Sequence, residues 1–271
     1  MSTKMQYMSS GLKVSKTVIA CMTHGDKNWQ PWVLNQEEAF PILKSAYDSR
    51  SNTFDVADTY FNRQSEEVLS AFLEEGTDDA AGQRRNDDVH DAADASSARP
   101  GTYSEALQIH RLDREVSMEG TMRAINDILI VGRLNILAEE FQMMQNIAEK
   151  HNWHKFISIQ GFYNPLNREH EREMNAYCKA IWIALSMREK SDIFLKLLFR
   201  YKQLEADEET VGRMEELACK KGLSMASVAI AWVMSKGGMV PICGLYIKQQ
   251  VDDSVKSLSI LLTNRECRYL E

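Results

Sequence analysis

Apolar residues recur along the chain in two alternating patterns, short continuous runs and stripes spaced three or four residues apart. Continuous runs bounded by polar residues are typical of buried strands, whereas the wider spacing is typical of helices with one apolar face. The runs predict seven strands, at 17–22, 53–56, 106–109, 134–137, 155–160, 180–185 and 239–243. The stripes predict helices that begin after Asn35 and at Ser65, and helices over 117–130, 138–151, 168–179, 208–220, 224–235 and 248–258.

Two of the predicted helices carry clear start signals. Asn35 is followed three residues later by Glu38, which is the spacing of a capping box. The apolar positions after it keep helical spacing and comprise Ala39, Ile42, Leu43, Ala46 and Tyr47. Ser224 follows Gly222 and is predicted to cap the helix over 224–235.

Strands that alternate with helices predict an α/β fold, in which a parallel sheet is covered by helices. Seven or eight repeats in 271 residues favour a single TIM (β/α)8 barrel, which typically needs about 250 residues. An open doubly wound sheet that binds a dinucleotide would carry a G-x-G-x-x-G motif after an early strand, and the sequence has none. We therefore expect one barrel domain over residues 1–271.

Residues 74–100 interrupt this alternation. The segment contains eight acidic and three basic residues, and its only large apolar residue is Val89. Such a composition cannot bury enough apolar area to offset the entropy of ordering the chain. We predict a disordered insertion at 74–100, so the barrel is expected to be incomplete or irregular around its third strand.

Charge and cysteine content exclude several classes of protein. A net charge of −7 argues against binding to nucleic acid. The five cysteines are odd in number and form no C-x-x-C motif, which indicates reduced thiols in the cytoplasm rather than a disulfide or zinc framework. We expect no signal peptide and no membrane span, because no segment approaches about 18 consecutive apolar residues.

Three side chains suited to proton transfer follow predicted strands. Asp55 lies at the end of the strand over 53–56, Tyr60 follows five residues later, and His110 directly follows the strand over 106–109. The carboxyl ends of barrel strands meet at one rim, so these groups are expected to lie near one another. A carboxylate, a phenol and an imidazole at one rim favour chemistry on a carbonyl group.

Each of these residues also has a structural interpretation. Asp55 could cap a loop, Tyr60 could be a packed surface aromatic, and His110 could be a hydrogen-bonded core histidine. These alternatives remain open at the level of the individual residues.

Several sequence blocks, taken in order, resemble those of the aldo-keto reductases. The blocks are Gly11-Leu-Lys-Val-Ser15, Asp55 to Tyr60, Leu107-Gln-Ile-His110-Arg-Leu-Asp, Gln160-x-x-Tyr163-Asn164 and Pro241-Ile-Cys-Gly-Leu245. Gly25-Asp-Lys-Asn-Trp-Gln-Pro-Trp32 is similar to the fungal aryl-alcohol dehydrogenase subgroup, which includes norsolorinic acid reductase-like enzymes. The resemblance covers about 1–73 and 101–271.

The resemblance implies a TIM barrel that binds NADP(H) and reduces an aldehyde or ketone. It assigns the role of proton donor to Tyr60. It places Asp55 as a carboxylate beneath the cofactor, and His110 as the group that orients the substrate carbonyl.

The resemblance also implies a set of binding residues. Gln160 would hydrogen-bond the nicotinamide amide, and Trp29 would line the substrate pocket. The stretch that holds the adenosine 2′-phosphate would include Gly244, Leu245, Lys248, Gln250 and Asp253. Helix amino termini suit phosphate, although Lys248 and Gln250 could instead form a solvated helix start. Gln160 could cap a loop, and Trp29 could pack in the core or in a lid.

The sequence departs from the family at four positions. The family has a lysine at the end of its third strand, whereas residues 74–100 contain no lysine. The Gly-Ala-Ser block at the end of the family's fifth strand is deleted, since Asn135-Ile-Leu-Ala138 runs straight into a predicted helix. The Pro-Trp-Ser-Pro-Leu loop after the seventh strand is degraded to Ala184-Leu-Ser-Met-Arg188. An arginine that packs on adenine is replaced by Gln250 or its neighbour.

The missing lysine predicts a weak enzyme. A phenol in water has a pKa of about 10, and a nearby ammonium helps it to release its proton. A positioned general acid contributes roughly 10²- to 10⁴-fold to a rate, part of which would be lost.

Two hypotheses follow from these sequence features. The first is an NADP(H)-dependent oxidoreductase that interconverts an aromatic aldehyde or ketone and its alcohol, in fungal secondary metabolism of the mycotoxin type. The second is an inactive barrel that serves as a binding or interaction protein, or a decayed gene product. Another phosphate-binding barrel enzyme would need a glycine-rich loop after the seventh strand, which the sequence lacks.

Overall fold

The structure, a computed structural model, consists of a parallel sheet with helices packed around it. It describes residues 6–7, 13–28, 30, 32–51, 53–57, 60–61, 63–76, 107–109, 112–126, 130–132, 137–180, 184–188 and 205–271. A short antiparallel hairpin, β1 (Gln6–Tyr7) and β2 (Lys13–Val14), comes first. The parallel strands are β3 (Val18–Ala20), β4 (Phe54–Asp55), β5 (Leu107–Ile109), β6 (Ile130–Gly132), β7 (Ser158–Phe162), β8 (Ala184–Arg188) and β9 (Met239–Gly244).

Helices follow most of the strands. In the described part of the chain they are α1 (Gln36–Asp48), α2 (Gln64–Gly76), α3 (Met118–Ala124), α4 (Ala138–His151), α5 (Met174–Ala180), α6 (Glu205–Lys221), α7 (Met225–Ser235), α8 (Lys248–Ser257) and α9 (Asn264–Leu270). Two short 3₁₀ helices cover Cys21–Thr23 and Glu169–Glu171.

The strand order is that of a ring. The seven parallel strands lie in the order β4-β3-β9-β8-β7-β6-β5, so that consecutive strands are neighbours and the last strand, β9, pairs with the first, β3. One position between β4 and β5 remains for a further strand, and residues 77–106 lie outside the described residues. This is the order of a TIM (β/α)8 barrel, as the alternation of elements predicted.

Successive residues of each strand face alternately the inside of the ring and the surrounding helices. Val18, Ala20, Val240 and Ile242 pack together with Val14 and with Met22 of the first 3₁₀ helix, and without any residue of α1 to α9, which places them in the lumen. Ile19 and Cys243 instead pack among apolar side chains of α1 and α2. Residues that pair laterally lie on the same face of a sheet, so the pairing register identifies further lumen positions.

Several predicted boundaries were wrong. The helix predicted over 117–130 ends at Ala124, and Ile130 begins strand β6. The strand predicted at 134–137 cannot extend to Leu137, which is the N-cap of α4; residues 133–136 lie outside the described residues, so the rest of that prediction stays a prediction. The strand predicted at 180–185 lies at Ala184–Arg188, because α5 continues to Ala180.

The predicted insertion at 74–100 is only partly covered by the structure. Residues 74–76 form the last turn of α2, so an insertion cannot begin at residue 74. Residues 77–100 lie outside the described residues, and their predicted disorder stays a prediction.

The described residues contain neither a single helix suited to cross a membrane nor a cluster of metal ligands. No single helix there is long and apolar enough to cross a bilayer; only Asp207–Lys221 and Met225–Ser235 taken together pass by length and composition, with a bend of 102° at the break. In the same part of the chain, no three His, Cys, Asp or Glu side chains cluster as metal ligands would.

The predicted capping box at α1 is confirmed and is expected to contribute measurably to stability. Asn35 Oδ1 accepts the Glu38 N–H at 3.0 Å, and Glu38 Oε2 accepts the Asn35 N–H at 3.3 Å. Asn35→Ala should lower the free energy of unfolding by about 1 kcal/mol, seen as a lower urea midpoint at an unchanged m-value. Asn35→Asp, which keeps the acceptor, should stay near wild type; an equal loss in both variants would contradict this assignment.

Candidate active site

Asp55 ends strand β4 and faces the lumen. It pairs with Ala20 on β3, which in turn pairs with Gly244 on β9. Because Ala20 belongs to the lumen cluster, the same register places Asp55 on the inside of the ring. The side chain is buried. A carboxylate therefore lies at the carboxyl end of the strands, one strand away from Ala20 and two from Gly244.

Tyr60 lies in the loop between β4 and α2. Its backbone N–H donates to the Ala57 carbonyl at 3.1 Å, which closes a turn, and its side chain is half-buried. Two non-glycine residues with positive φ follow it, Phe61 at 52° and Arg63 at 77°. Such angles are uncommon outside glycine, so the backbone after Tyr60 takes a specific, costly path into α2.

The loop that carries Tyr60 is attached to the loop that follows β3. Gly25 lies against the ring of Phe61, because a Cβ built on Gly25 would be 2.8 Å from Phe61 Cγ. At the start of α2, Ser65 Oγ donates to the Cys21 carbonyl at 2.7 Å. Both attachments are buried, so the segment from Phe61 to Ser65 is held at each end by the first βα loop.

The first βα loop is also attached to the end of β9. The carbonyl of Leu245 lies 3.2 Å from both Thr23 Oγ1 and His24 Nε2. Since a carbonyl only accepts hydrogen bonds, His24 Nε2 carries the proton in this contact. Burial lowers the pKa of His24 to about 4, although the hydrogen bond to Leu245 acts in the opposite direction. His24 is therefore a neutral structural donor at physiological pH.

Cys21 lies close to Asp55 but is not a reactive thiol. Burial raises the pKa of the Cys21 thiol, and the negative charge of Asp55 raises it further. The thiolate is the nucleophilic form of cysteine, so Cys21 is a packing residue beneath the site.

Gln160 lies in the middle of β7 and faces the lumen from the other side of the ring. It pairs with Ser186, which pairs with Val240 of the lumen cluster. Its predicted position at the end of a strand over 155–160 was wrong, because the strand runs two residues further, to Phe162. The next residue, Gly161, lies against the His170 ring, since a Cβ there would be 2.7 Å from His170 Nε2.

The first turn of α8 has no side-chain cap. Its N-cap is Ile247, whose apolar side chain makes no capping hydrogen bond, and Lys248 is exposed in the first turn. Gln250 Oε1 accepts the Tyr246 N–H at 3.0 Å, and Asp253 Oδ1 accepts from the Gln249 side chain at 2.9 Å. Backbone N–H groups at such a terminus suit phosphate.

The structure brings some of the predicted residues together. Asp55 and Gly244 flank Ala20 in one row of the sheet, and Leu245 is bound by the first βα loop. Gln160 lies four strands from Asp55 in the ring. His110 and Trp29 lie outside the described residues, so their predicted roles stay predictions.

Sequence reasoning missed four residues that fix this geometry, which are Thr23, His24, Gly25 and Phe61. The only local signal was Gly25, whose φ of 155° favours glycine. The contacts of Thr23 and His24 with Leu245 span more than 220 residues of sequence, and no local pattern predicts them.

Comparison with known proteins identifies the family. The model of the aldo/keto reductase family matches residues 21–271. Versiconal hemiacetal acetate reductase of Aspergillus parasiticus is 38% identical over 97% of this chain and 94% of that protein. An aryl-alcohol dehydrogenase-like protein of Schizosaccharomyces pombe is 33% identical over 97% of this chain and 93% of its own length.

Two further comparisons describe fold and length. A thermostable aldo-keto reductase crystallised with the inhibitor epalrestat superposes with a TM-score of 0.76 over 98% of each chain; at 18% identity it shows the fold alone. The alignment with the Aspergillus reductase spans 322 positions, whereas this chain has 271 residues, so at least 51 positions have no counterpart here. The chain belongs to the aldo/keto reductase family and is an oxidoreductase, shorter than the fungal reductases and aryl-alcohol dehydrogenases it resembles.

Proposed function

We propose that the protein is an NADP(H)-dependent reductase that interconverts an aromatic aldehyde or ketone and its alcohol, in fungal secondary metabolism. The observation that carries the proposal is the row Asp55–Ala20–Gly244, with Tyr60 in the loop directly after it. This row joins a buried carboxylate and a phenol-bearing loop to the strand that leads into α8. The two fungal relatives, by name a hemiacetal acetate reductase and an aryl-alcohol dehydrogenase, belong to the same reaction class.

The cofactor would lie with its phosphates at the start of α8. The uncapped helix terminus and exposed Lys248 offer N–H groups and a positive charge to a phosphate. Tyr246 and Ile247 directly precede this turn and are 40% and 49% exposed. Exposed apolar side chains beside an anion site suit the adenine ring of a nucleotide. The residues present therefore fit an adenine dinucleotide with a 2′-phosphate.

The reacting end would lie in the lumen mouth between Asp55 and Gln160. When bound, the nicotinamide supplies or accepts a hydride. Gln160 offers both a donor and an acceptor to an amide, which suits the orientation of a carboxamide. Tyr60 would donate a proton to the carbonyl oxygen in reduction and take it back in oxidation. The Asp55 carboxylate would give the mouth of the lumen a negative charge. It would also accept hydrogen bonds and so orient donor groups close to the phenol.

A second candidate function, cofactor binding without turnover, is favoured by one specific feature. The chain contains no lysine between Lys44 and Lys150, and the family resemblance places the catalytic lysine within that interval. Without a neighbouring ammonium, the transfer of the phenolic proton is slower. We therefore expect slow rather than fast reduction, and the alternative is none at all.

Two measurements on the purified full chain test the proposal. Quenching of tryptophan fluorescence reports NADPH binding, and the loss of NADPH absorbance with an aromatic aldehyde reports turnover. Binding with turnover supports the proposed reductase, and binding without turnover supports the second candidate. No binding of either NADPH or NADH would reject both.

Lys248→Ala is expected to weaken NADPH binding about tenfold, because a charge-assisted hydrogen bond to phosphate contributes about 1.5 kcal/mol or more. NADH lacks the 2′-phosphate, so its dissociation constant should stay unchanged. Lys256→Ala is the matched control, since Lys256 is exposed in the last turn of the same helix. Equal losses for NADPH and NADH, or an equal effect of the control, would place the 2′-phosphate elsewhere.

A further inference from the structure

We propose that Phe61 is a positioning residue for Tyr60, and that it acts by wedging its ring against Gly25 of the first βα loop. The inference deepens the proposed function, since it rests on Tyr60 as the proton donor. Phe61 itself would touch neither substrate nor cofactor. Its role would be to hold the phenol at a fixed place above the Asp55 row.

The backbone at Phe61 is the first reason. Its φ of 52° lies in the left-handed region, where a non-glycine residue is disfavoured and persists only when its surroundings enforce it. Arg63, at 77°, repeats this two residues later. Phe61 lies in a turn, since its carbonyl accepts the Gln64 N–H at 3.3 Å, and the direction of the Tyr60 side chain depends on how this turn is held.

The ring of Phe61 supplies the holding contact. Phe61 is only 7% exposed, and it occupies the space that a side chain on Gly25 would need, with Cγ 2.8 Å from an ideal Cβ. Gly25 has a φ of 155°, which also disfavours any other residue. The fit is therefore reciprocal: a glycine with no side chain receives a phenyl ring.

The receiving loop is itself rigid. Gly25 N–H donates to the Leu34 carbonyl at 2.8 Å, and the Leu34 N–H donates to the Thr23 carbonyl at 2.9 Å. Thr23 and His24 bind the Leu245 carbonyl at the end of β9. Phe61 thus rests on a loop fixed to the strand that leads to the cofactor helix α8, so the phenol and the cofactor site share one support.

A spectroscopic experiment tests the position of the phenol directly. With 3-fluorotyrosine incorporated at position 60, the wild-type chain should give one ¹⁹F resonance away from that of the urea-unfolded chain. In Phe61→Ala this resonance should move toward the unfolded position or broaden. Phe61→Leu, which keeps apolar volume, should restore much of the shift. A wild-type resonance retained in Phe61→Ala would overturn the proposal.

A glycine variant distinguishes a role of the Phe61 ring from a role of the backbone conformation at position 61. Phe61→Gly accommodates a φ of 52° more readily than phenylalanine, so a role limited to backbone conformation predicts an unchanged ¹⁹F resonance. The wedge predicts that it changes as in Phe61→Ala. Phe40→Ala is the matched control, because Phe40 on α1 packs its ring on Phe72 at 5.8 Å and not on Gly25. A changed resonance in this control would point to general loosening and overturn the wedge.

Kinetics provide the second readout. Phe61→Ala should lower kcat by roughly 10²-fold, since a misplacement of about 1 Å costs that much, while the dissociation constant for NADPH stays within twofold. In a Tyr60→Phe background the same substitution should have no further effect on kcat, because Phe61 acts through the phenol. A full additional loss there would overturn the proposal. If the wild-type chain shows no turnover, the proposed function fails, but the ¹⁹F result still decides the role of Phe61.

Discussion

Tyr60→Phe is expected to lower kcat for reduction of an aromatic aldehyde by roughly 10²- to 10⁴-fold, the contribution of a positioned general acid. The substitution removes one hydroxyl and keeps the ring, so the loop between β4 and α2 should keep its conformation. NADPH binding should be unchanged, because the proposed cofactor contacts lie at α8 and in the lumen. The measurement is single-turnover oxidation of NADPH at saturating aldehyde, which isolates the chemical step.

The upper part of this range requires that the phenol be well activated. The chain has no lysine between Lys44 and Lys150, so the usual ammonium of the family is missing and the wild-type rate is itself expected to be low. A low wild-type rate makes the ratio of the wild-type rate to the Tyr60→Phe rate smaller. The expected loss is therefore nearer 10²-fold than 10⁴-fold.

Tyr47→Phe is the matched control for this experiment. Tyr47 lies on α1 with its ring edge against Phe72 at 6.3 Å, outside the barrel lumen. This substitution also removes one hydroxyl, and it should leave kcat unchanged. If Tyr60→Phe retained the wild-type single-turnover rate, Tyr60 would not be the proton donor, and the proposed mechanism would be wrong.

The elements predicted best are those with a local signal at their ends. The capping box of Asn35 and Glu38 placed the start of α1, and Ser224 placed the start of α7, where its Oγ accepts the Ser227 N–H at 3.2 Å. Caps are local chemistry, in which a side chain satisfies a backbone group two or three residues away. Sequence alone can therefore locate them.

The boundaries that failed lie where two apolar patterns merge. Before Ile130 the apolar positions Met122, Ile125, Ile128 and Leu129 keep helical spacing across the polar pair Asn126-Asp127, although β6 begins at Ile130. Around Ala180 an apolar run continues from α5 to β8. Short apolar runs do not distinguish strand from helix by periodicity alone. In the folded chain the pairing of the strands determines where β6 and β8 begin, because each of them pairs with β7.

The residues of the site were predictable only as residue types at strand ends. Asp55 was predicted at a strand end, where it lies, whereas Gln160 was predicted at a strand end and lies in the middle of β7. The contacts that fix their surroundings, such as those of Thr23 and His24 with the Leu245 carbonyl, join the two ends of the sequence. They arise because β9 closes the ring on β3, so they exist only once the whole barrel has formed.

Trp232→Ala is expected to lower the free energy of unfolding by about 3–5 kcal/mol, the range for removal of a large buried aromatic side chain. Trp232 on α7 is fully buried. Its ring stacks on Tyr163 at 5.2 Å, with an angle of 26° between the rings, and Lys236 Nζ lies 4.4 Å above it. The substitution therefore removes a ring stack and a cation–π contact as well as apolar area.

The surroundings of Trp232 cannot collapse into the space it leaves. Tyr163 OH donates to Glu171 Oε1 at 2.5 Å, and Glu171 Oε2 accepts from Arg168 at 2.6 Å. Burial raises the pKa of Glu171, but the contacts with Arg168, Tyr163 and Lys236 outweigh it and lower the pKa to about 2. Since Glu171 stays charged and hydrogen-bonded, Tyr163 is held in place and a cavity remains, which increases the cost of the substitution.

Trp232→Phe distinguishes the contribution of the aromatic ring to stability from that of the indole N–H group. Within the described residues Trp232 Nε1 has no hydrogen-bond partner, so phenylalanine removes an unsatisfied donor while it keeps most of the stack. We expect a loss below about 1.5 kcal/mol, as for swaps that conserve most of the volume.

Urea unfolding at a constant m-value checks both Trp232 variants, and Trp153→Ala is the control. Trp153 is only partly buried and stacks on His151 at 4.5 Å, so its loss should cost less than half as much as that of Trp232. Equal losses at the two positions would mean that neither the full burial of Trp232 nor the held network around Tyr163 determines the cost. A loss for Trp232→Ala below about 2 kcal/mol, under the range for such cavities, would mean that α7 moves to fill the space.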